Sequence, residues 1–343
     1  MEKIKAIVYG VGEMGKIMTK FMVEKGVLIV GAIDVSNIGE DVGEVAGLGY
    51  PINVRISDNA DAVLSEQKAD IAVVAVFTEM ERMYPHLKKC IENSLNVITT
   101  SEEALYPWTT SPELTAKLDK LAREYEVTVV GSGCQDVFKV NLISVLTGAS
   151  HTIESVVGKK SFDVNDYGPV VAEYYHIGQG KEDFHRWVEK GGGKPSFSRM
   201  NLEAIIADLG LTVSCIQEFV EPEIDDIDLE CKALGKIIRR GEVIGMTETV
   251  EFDTEQGIKF RETLTGRIYR PGEQDINENE WHIKGIPELD LSNKKVPCGI
   301  ATGTQMVNRI PDVINAEPGF ITVEKLPKLT YRAYPLHFYL HKR

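Results

Sequence analysis

The chain has no long apolar run, a deficit of basic residues and no cysteine pairs. Its longest uninterrupted apolar stretch, residues 71–77, is far too short to cross a bilayer, which argues against a membrane-spanning segment. Lys and Arg number 38 against 52 Asp and Glu, a formal charge of −14, and no basic cluster offsets it. Such a surface repels phosphate backbones, so neither nucleic acid nor an anionic membrane is an expected partner. The cysteines, Cys90, Cys134, Cys215, Cys231 and Cys298, are odd in number and never spaced as a pair of ligands. That excludes a disulfide framework and a zinc site and fits a reducing cytoplasm; if one thiol is reactive, the pattern favours Cys134. The opening Met1-Glu2-Lys3-Ile4 runs straight into a strand pattern without a signal peptide's apolar region.

What is present is strand and helix in alternation. With 343 residues the chain is long enough for two domains. Residues 4–9, 28–33, 69–76, 96–99 and 127–130 are short β-rich runs of the kind buried on both faces of a parallel sheet. Between them, Met14, Ile17, Met18, Phe21 and Met22 recur at helical spacing, and residues 80–91, 114–125 and 137–146 also suit helices. Right-handed crossovers and a doubly wound α/β Rossmann sheet follow. After about residue 150 strands lose their intervening helices. Residues 247–252 and 258–264 read as a hairpin through a Gly-containing turn, and residues 170–176 and 202–209 as helices. This is an α+β pattern, a second domain with a largely antiparallel sheet.

Gly10-Val11-Gly12-Glu13-Met14-Gly15 fits the dinucleotide fingerprint, after a strand and before a helix. Gly10 permits the tight turn, Gly12 lets a pyrophosphate approach the backbone, and Gly15 lets helix and strand pack closely. Unpaired N–H groups around Glu13 and Met14 then face the phosphates. Asp34 ends the next strand, where a carboxylate binds ribose hydroxyls and repels a 2′-phosphate. No Arg follows in Val35-Ser36-Asn37-Ile38, so NAD is favoured over NADP, although Ser36 and Asn37 tolerate the phosphate weakly.

Ligands of such sheets lie beyond the carboxyl ends of the strands. Phe77 and Thr78 follow the third long strand and can flank the dinucleotide. Thr100 to Pro112 follows the fourth and holds Glu102, Glu103, Tyr106 and Trp108 but no His, Lys or Cys. Ketone reduction normally wants a proton donor such as His, Tyr or Lys. An iminium is already cationic, and a carboxylate suits it by stabilising positive charge and moving protons. The Glu pair therefore points to amine chemistry, with a helix cap and a solvated side chain as the plainer alternative.

Residues 8–16, 31–35, 100–112, 131–137 and 307–314 resemble the 2,4-diaminopentanoate dehydrogenases and their relatives, the native amine dehydrogenases. The resemblance implies a dihydrodipicolinate-reductase-like architecture: a Rossmann domain over 1–140, a substrate-binding and dimerisation domain over 141–300, and a segment over 301–343 returning to the first. It implies oxidative deamination with NAD(P), of 2,4-diaminopentanoate to 2-amino-4-oxopentanoate or of simple amines to ketones or aldehydes, or the reverse reductive amination with ammonia, in a homodimer. The family's acid–base glutamate falls on Glu102, with Glu103 as the alternative, since neighbours on an extended segment point oppositely. Thr100 and Asn308 join the cofactor-binding candidates. Phe138, Asn165, Tyr167 and His176, assigned to the second domain, and Thr302 on the returning segment, are candidates for the substrate pocket; for His176 simple packing competes. Lys159, Lys160, Arg199 and Arg267 are available to receive a substrate carboxylate. The paired-His segment and the Lys-x-Asp-Ala-Pro-Ser-Gly-Thr stretch of dihydrodipicolinate reductase are missing, which disfavours that activity. Two further readings stay open, an aspartate-dehydrogenase-like oxidoreductase and a non-catalytic dinucleotide-binding protein.

Overall fold

In the computed structural model, which describes residues 2–273, 278–294 and 296–341, the apolar runs of the first 131 residues become parallel strands. They are β1 (Lys5–Tyr9), β2 (Leu28–Ile33), β3 (Ile56–Ser57), β4 (Ile71–Val74), β5 (Asn96–Thr99) and β6 (Thr128–Gly131). With the late strand Gly319–Phe320 the sheet order is Gly319–Phe320, β6, β5, β4, β1, β2, β3. Every residue of β4 and of β6 is buried, as helices on both faces require. Helix Met80–Glu92 turns Met83, Leu87, Cys90 and Ile91 to the sheet, and helix Pro112–Glu124 starts on a proline whose missing N–H costs nothing at that position.

The chain divides into two compact units, Met1–Leu142 with Cys298–Arg343, and Ile143–Pro297. Within the first, the long helix Cys298–Asn315 packs on helix Glu13–Glu24, where Gly303 sits so close to Ile17 and Phe21 that a side chain has no room. Phe138 belongs to this unit, which corrects its assignment to the second domain.

In place of the single helix expected over 137–146, a π-helical stretch, Asp136–Asn141, runs into helix Leu142–Thr147. Side chains explain the widened turn. Asn141 Nδ2 donates to both the backbone oxygen (3.0 Å) and Oδ1 (2.7 Å) of Asp136, five residues earlier, while Asp136 is held by Arg309.

The second unit contains β7 (Thr152–Asp163), β8 (Val213–Ile224), β9 (Leu229–Cys231), β10 (Lys236–Ile238), β11 (Val243–Thr254), β12 (Lys259–Arg267), β13 (Asn279–Ile286) and β14 (Leu289–Asn293). Among the described residues the main sheet runs β14–β13–β7–β12–β11–β8, antiparallel except where β7 meets β12. The expected hairpin is β11–β12, turning at Gly257 with φ +81°. Alternation buries Glu248, Val250 and Phe252 on β11 and Phe260, Glu262 and Leu264 on β12. Helix Phe197–Asp208 packs against both strands. The buried charges are partnered: Lys160 pairs with Glu262, Asn201 donates to Glu262 (2.9 Å), and Ser196 donates to Glu248 (2.9 Å). No described helix is long and apolar enough to cross a membrane.

Candidate active site

The glycine turn has the geometry each glycine was assigned. Gly10 adopts φ +101°, and a β-carbon there would strike the Ala75 carbonyl; one at Gly15 would strike the Gly10 carbonyl. Gly12 differs, since nothing lies within 4 Å of where its β-carbon would stand. The helix Glu13–Glu24 begins after Gly12 with no side-chain cap, leaving N–H groups for an anion. Glu13 is exposed and pairs with Lys16 (3.0 Å); Met14 is half-buried. Asp34 accepts the Val11 N–H on Oδ2 (2.6 Å) and the Ser36 N–H on Oδ1 (2.8 Å), which fixes it beside the turn with lone pairs to spare for hydroxyl donors.

The loops after β4 and β5 are laced together. Ser101 Oγ donates to the Thr78 oxygen (2.5 Å), and Thr100 N–H donates to Val74 O (3.1 Å). Phe77 carries the Arg82 guanidinium over its ring (3.9 Å) and lies against His86. The two adjacent carboxylates then part ways. Glu103 is buried, taking the Met80 N–H on Oε2 (2.6 Å) and the Ser111 hydroxyl on Oε1 (2.6 Å). It closes the amino terminus of helix Met80–Glu92, whose dipole favours a negative charge there. Glu102 precedes the short turn Glu103–Leu105 and is only partly exposed. Burial pushes its carboxyl up to about 7, opposed by Lys139 and reinforced by the neighbouring charge of Glu79.

Lys139 comes from the π-helical stretch, not from the β5 loop, which holds no lysine. Glu79, whose buried Oε2 lacks a hydrogen bond among the described residues, is the other neighbour that the sequence did not single out. Gly131 seats the turn. A side chain there would collide with Ala104 and Leu105, so β6 presses directly on the segment that carries Glu102. Trp108 packs edge-on against Phe320 (6.2 Å) within the core.

Of the remaining candidates, Thr302 accepts the Cys134 N–H (3.2 Å) and Asn308 is buried on the same helix. Asn165 spends its side-chain oxygen on the Lys232 N–H (2.8 Å), and Tyr167 stands edge-on to Phe162 (5.0 Å). His176 lies against Trp187 (4.0 Å) and Phe184, with φ +56° and its buried Nδ1 without a hydrogen-bond partner among the described residues. Asn165 and His176 thus have structural work inside the second unit.

A buried network went unread in the sequence. Arg309, fully buried, makes a bidentate pair with Asp136 (2.6 and 2.8 Å), reaches Asp312 (3.2 Å), and Asp312 in turn holds Arg332 (2.7 Å). It joins two of the stretches that carry the family resemblance, residues 131–137 and 307–314.

The model of the 2,4-diaminopentanoate dehydrogenase C-terminal domain matches residues 138–333, and that of the dihydrodipicolinate reductase N-terminus matches residues 4–133. The chain belongs to the 2,4-diaminopentanoate dehydrogenase family. It is 29% identical to the 2,4-diaminopentanoate dehydrogenase of Acetoanaerobium sticklandii over 95% of this chain and 94% of that protein. The solved amine dehydrogenase from Mycobacterium smegmatis is 45% identical, with TM-score 0.92, covering 97% of this chain and 98% of that one. GenD2 from gentamicin A biosynthesis, solved in complex with NAD, shares the fold at 16% identity and TM-score 0.52, over 86% of this chain and 73% of that one.

Proposed function

We propose that the protein is a nicotinamide-dependent amine dehydrogenase in which Glu102 is the acid–base residue. That it is an oxidoreductase acting on CH–NH2 groups follows from its family, whose named relatives are dehydrogenases of amines. The observation that carries the role of Glu102 is the division of labour on the β5 turn: Glu103 is consumed by Met80 and Ser111, while Glu102 keeps a carboxyl raised to about 7. A group with that affinity gives and takes protons near neutrality.

The residues present fit a dinucleotide, with Gly12 open to a pyrophosphate and Asp34 fixed beside the turn. Bound there, the nicotinamide supplies the hydride acceptor for deamination and the donor for amination. Glu102 takes the proton from the substrate ammonium, so that the nitrogen lone pair is free to assist loss of hydride. Once that proton has passed to solvent, the restored carboxylate steadies the cationic iminium and takes a proton from the water that adds to it. In the aminating direction it helps ammonia attack and water leave. The Asp34 charge and the lack of a nearby Arg in residues 35–38 support NAD over NADP.

The substrate is an amine or the matching carbonyl compound, and the pairing of cations in the second unit supports one without a carboxylate. Three of the four cations available to a carboxylate are already neutralised, Lys160 by Glu262, Arg199 by Glu203 and Glu218, and Arg267 by Glu273. Homodimerisation through the second unit is supported by the open face of β11 and β12, where Thr247 and Thr265, and Thr249 and Thr263, form hydroxyl pairs. A cytoplasmic location accords with the unpaired cysteines. The test is ammonia-dependent NADH oxidation with a panel of ketones, for wild type and Glu102→Ala. Equal turnover in the two removes Glu102 from the chemistry.

A further inference from the structure

Two cysteines far apart in sequence meet in the first unit. The Cys134 thiol reaches Gln135 Oε1 (3.5 Å), and Cys298 is near enough to raise its pKa. A second contact fixes the same approach: the Cys134 N–H donates to Thr302 Oγ1 (3.2 Å), and Thr302 lies one helical turn beyond Cys298 on the same face. Both thiols are reduced. Cys134 is 6% exposed, whereas Cys298 is only half-buried and opens the helix Cys298–Asn315. Their roles are therefore unequal. Cys298 is the reachable sulfur, at the amino terminus of its helix. Cys134 is kept protonated by burial and by the Cys298 sulfur beside it.

We propose that Cys134 and Cys298 are a redox-responsive dithiol that closes to a reversible disulfide by exchange with a low-molecular-weight disulfide. The Cys298 thiolate attacks one sulfur of the reagent; its S–S bond breaks and one small thiol leaves with a proton. The Cys134 sulfur then attacks Cys298 Sγ, forming the protein disulfide and expelling the second small thiol, which carries away the Cys134 proton. The protein loses two electrons and two protons, and the reagent is reduced to two thiols. The new bond would join the loop after β6 to Cys298, where the chain re-enters the first unit.

The experiment treats the full-length protein with glutathione disulfide, quenches it in acid, and maps the peptides by mass spectrometry. The exposed Cys215 serves as an internal gauge that the reagent has acted. The expected result is a cross-linked Cys134–Cys298 peptide, two mass units below the sum of its reduced parts, which a dithiol reductant returns to thiols. Fully buried Cys90 stays unmodified. In Cys298→Ser the cross-link is lost and Cys134 remains a thiol. Once Cys215 is fully converted, absence of that peptide in the wild type, with Cys298 either free or capped by glutathione, overturns the proposal.

Discussion

Replacing Glu102 by Gln removes a charge that the fold holds at a cost, so the substitution should stabilise the protein while disabling it. Burial raises the Glu102 carboxyl from an ordinary 4.5 to about 7. Below pH 4.5 the folded and unfolded chains both hold this proton, and the group is neutral to stability. As pH climbs, the unfolded chain releases the proton first, so folded stability falls until pH passes about 7 and then levels. At about 1.4 kcal/mol per unit, the shift costs up to about 3 kcal/mol at pH 8, an upper bound because the side chain keeps some contact with solvent. Gln has nearly the same shape and never ionises. Urea titrations of both proteins at steps between pH 4.5 and 9 should therefore superpose at the acid end and separate above it, Glu102→Gln becoming the more stable. Glu248, also raised to about 7 by burial, bends both curves alike and cancels in the difference. Turnover in the same variant should fall by about 10²–10⁴, the usual worth of a general acid–base group. Curves that superpose at every pH would refute the burial argument, and retained turnover would refute the catalytic one.

Gly10→Ala should lower the melting temperature, because φ is +101° and a β-carbon meets the Ala75 carbonyl. Gly12→Ala should leave melting unchanged and weaken NADH binding in a fluorescence titration, since no described atom lies within 4 Å of its methyl and the proposed pyrophosphate position is there. Asp34→Asn keeps a side-chain acceptor for the Val11 and Ser36 N–H groups but removes the charge; the ratio of kcat/KM for NAD+ over NADP+ should fall about tenfold or more, equivalent to about 1.4 kcal/mol. Arg309→Met strands the buried Asp136 carboxylate and should cost about 3–5 kcal/mol in urea denaturation, with Lys at the same position a poor rescue because it cannot reproduce the bidentate geometry.

The buried parallel strands were legible because their signal is local. β2 and β5 have the bounds expected from the sequence, β2 as an apolar run closed by Asp34. β8 was not read as a strand. It lies at the edge of its sheet with most residues in contact with solvent, so neither face is apolar enough to show a period. β13 does alternate, Trp281 and Ile283 inward against Glu280, His282 and Lys284, a local signal that was present and went unread. The β5 turn shows the limit at the site. Its sequence reveals two carboxylates with opposed directions, yet which one is spent on structure depends on where the Met80 N–H arrives, 23 positions away in the chain. Lys139 acts on Glu102 electrostatically from the π-helical stretch that Asn141 and Arg309 hold through Asp136, a tertiary placement that no local pattern encodes.

The central claim is that the enzyme makes and breaks a carbon–nitrogen bond at Glu102. Its most direct test follows NADH oxidation with a ketone and ¹⁵N-ammonium, with the product analysed by mass spectrometry. The account predicts an amine labelled with ¹⁵N, NADH consumption that stops when ammonium is withheld, and a kcat/KM profile whose ionisation near pH 7 disappears in Glu102→Gln. An alcohol formed from the ketone without ammonium would contradict it.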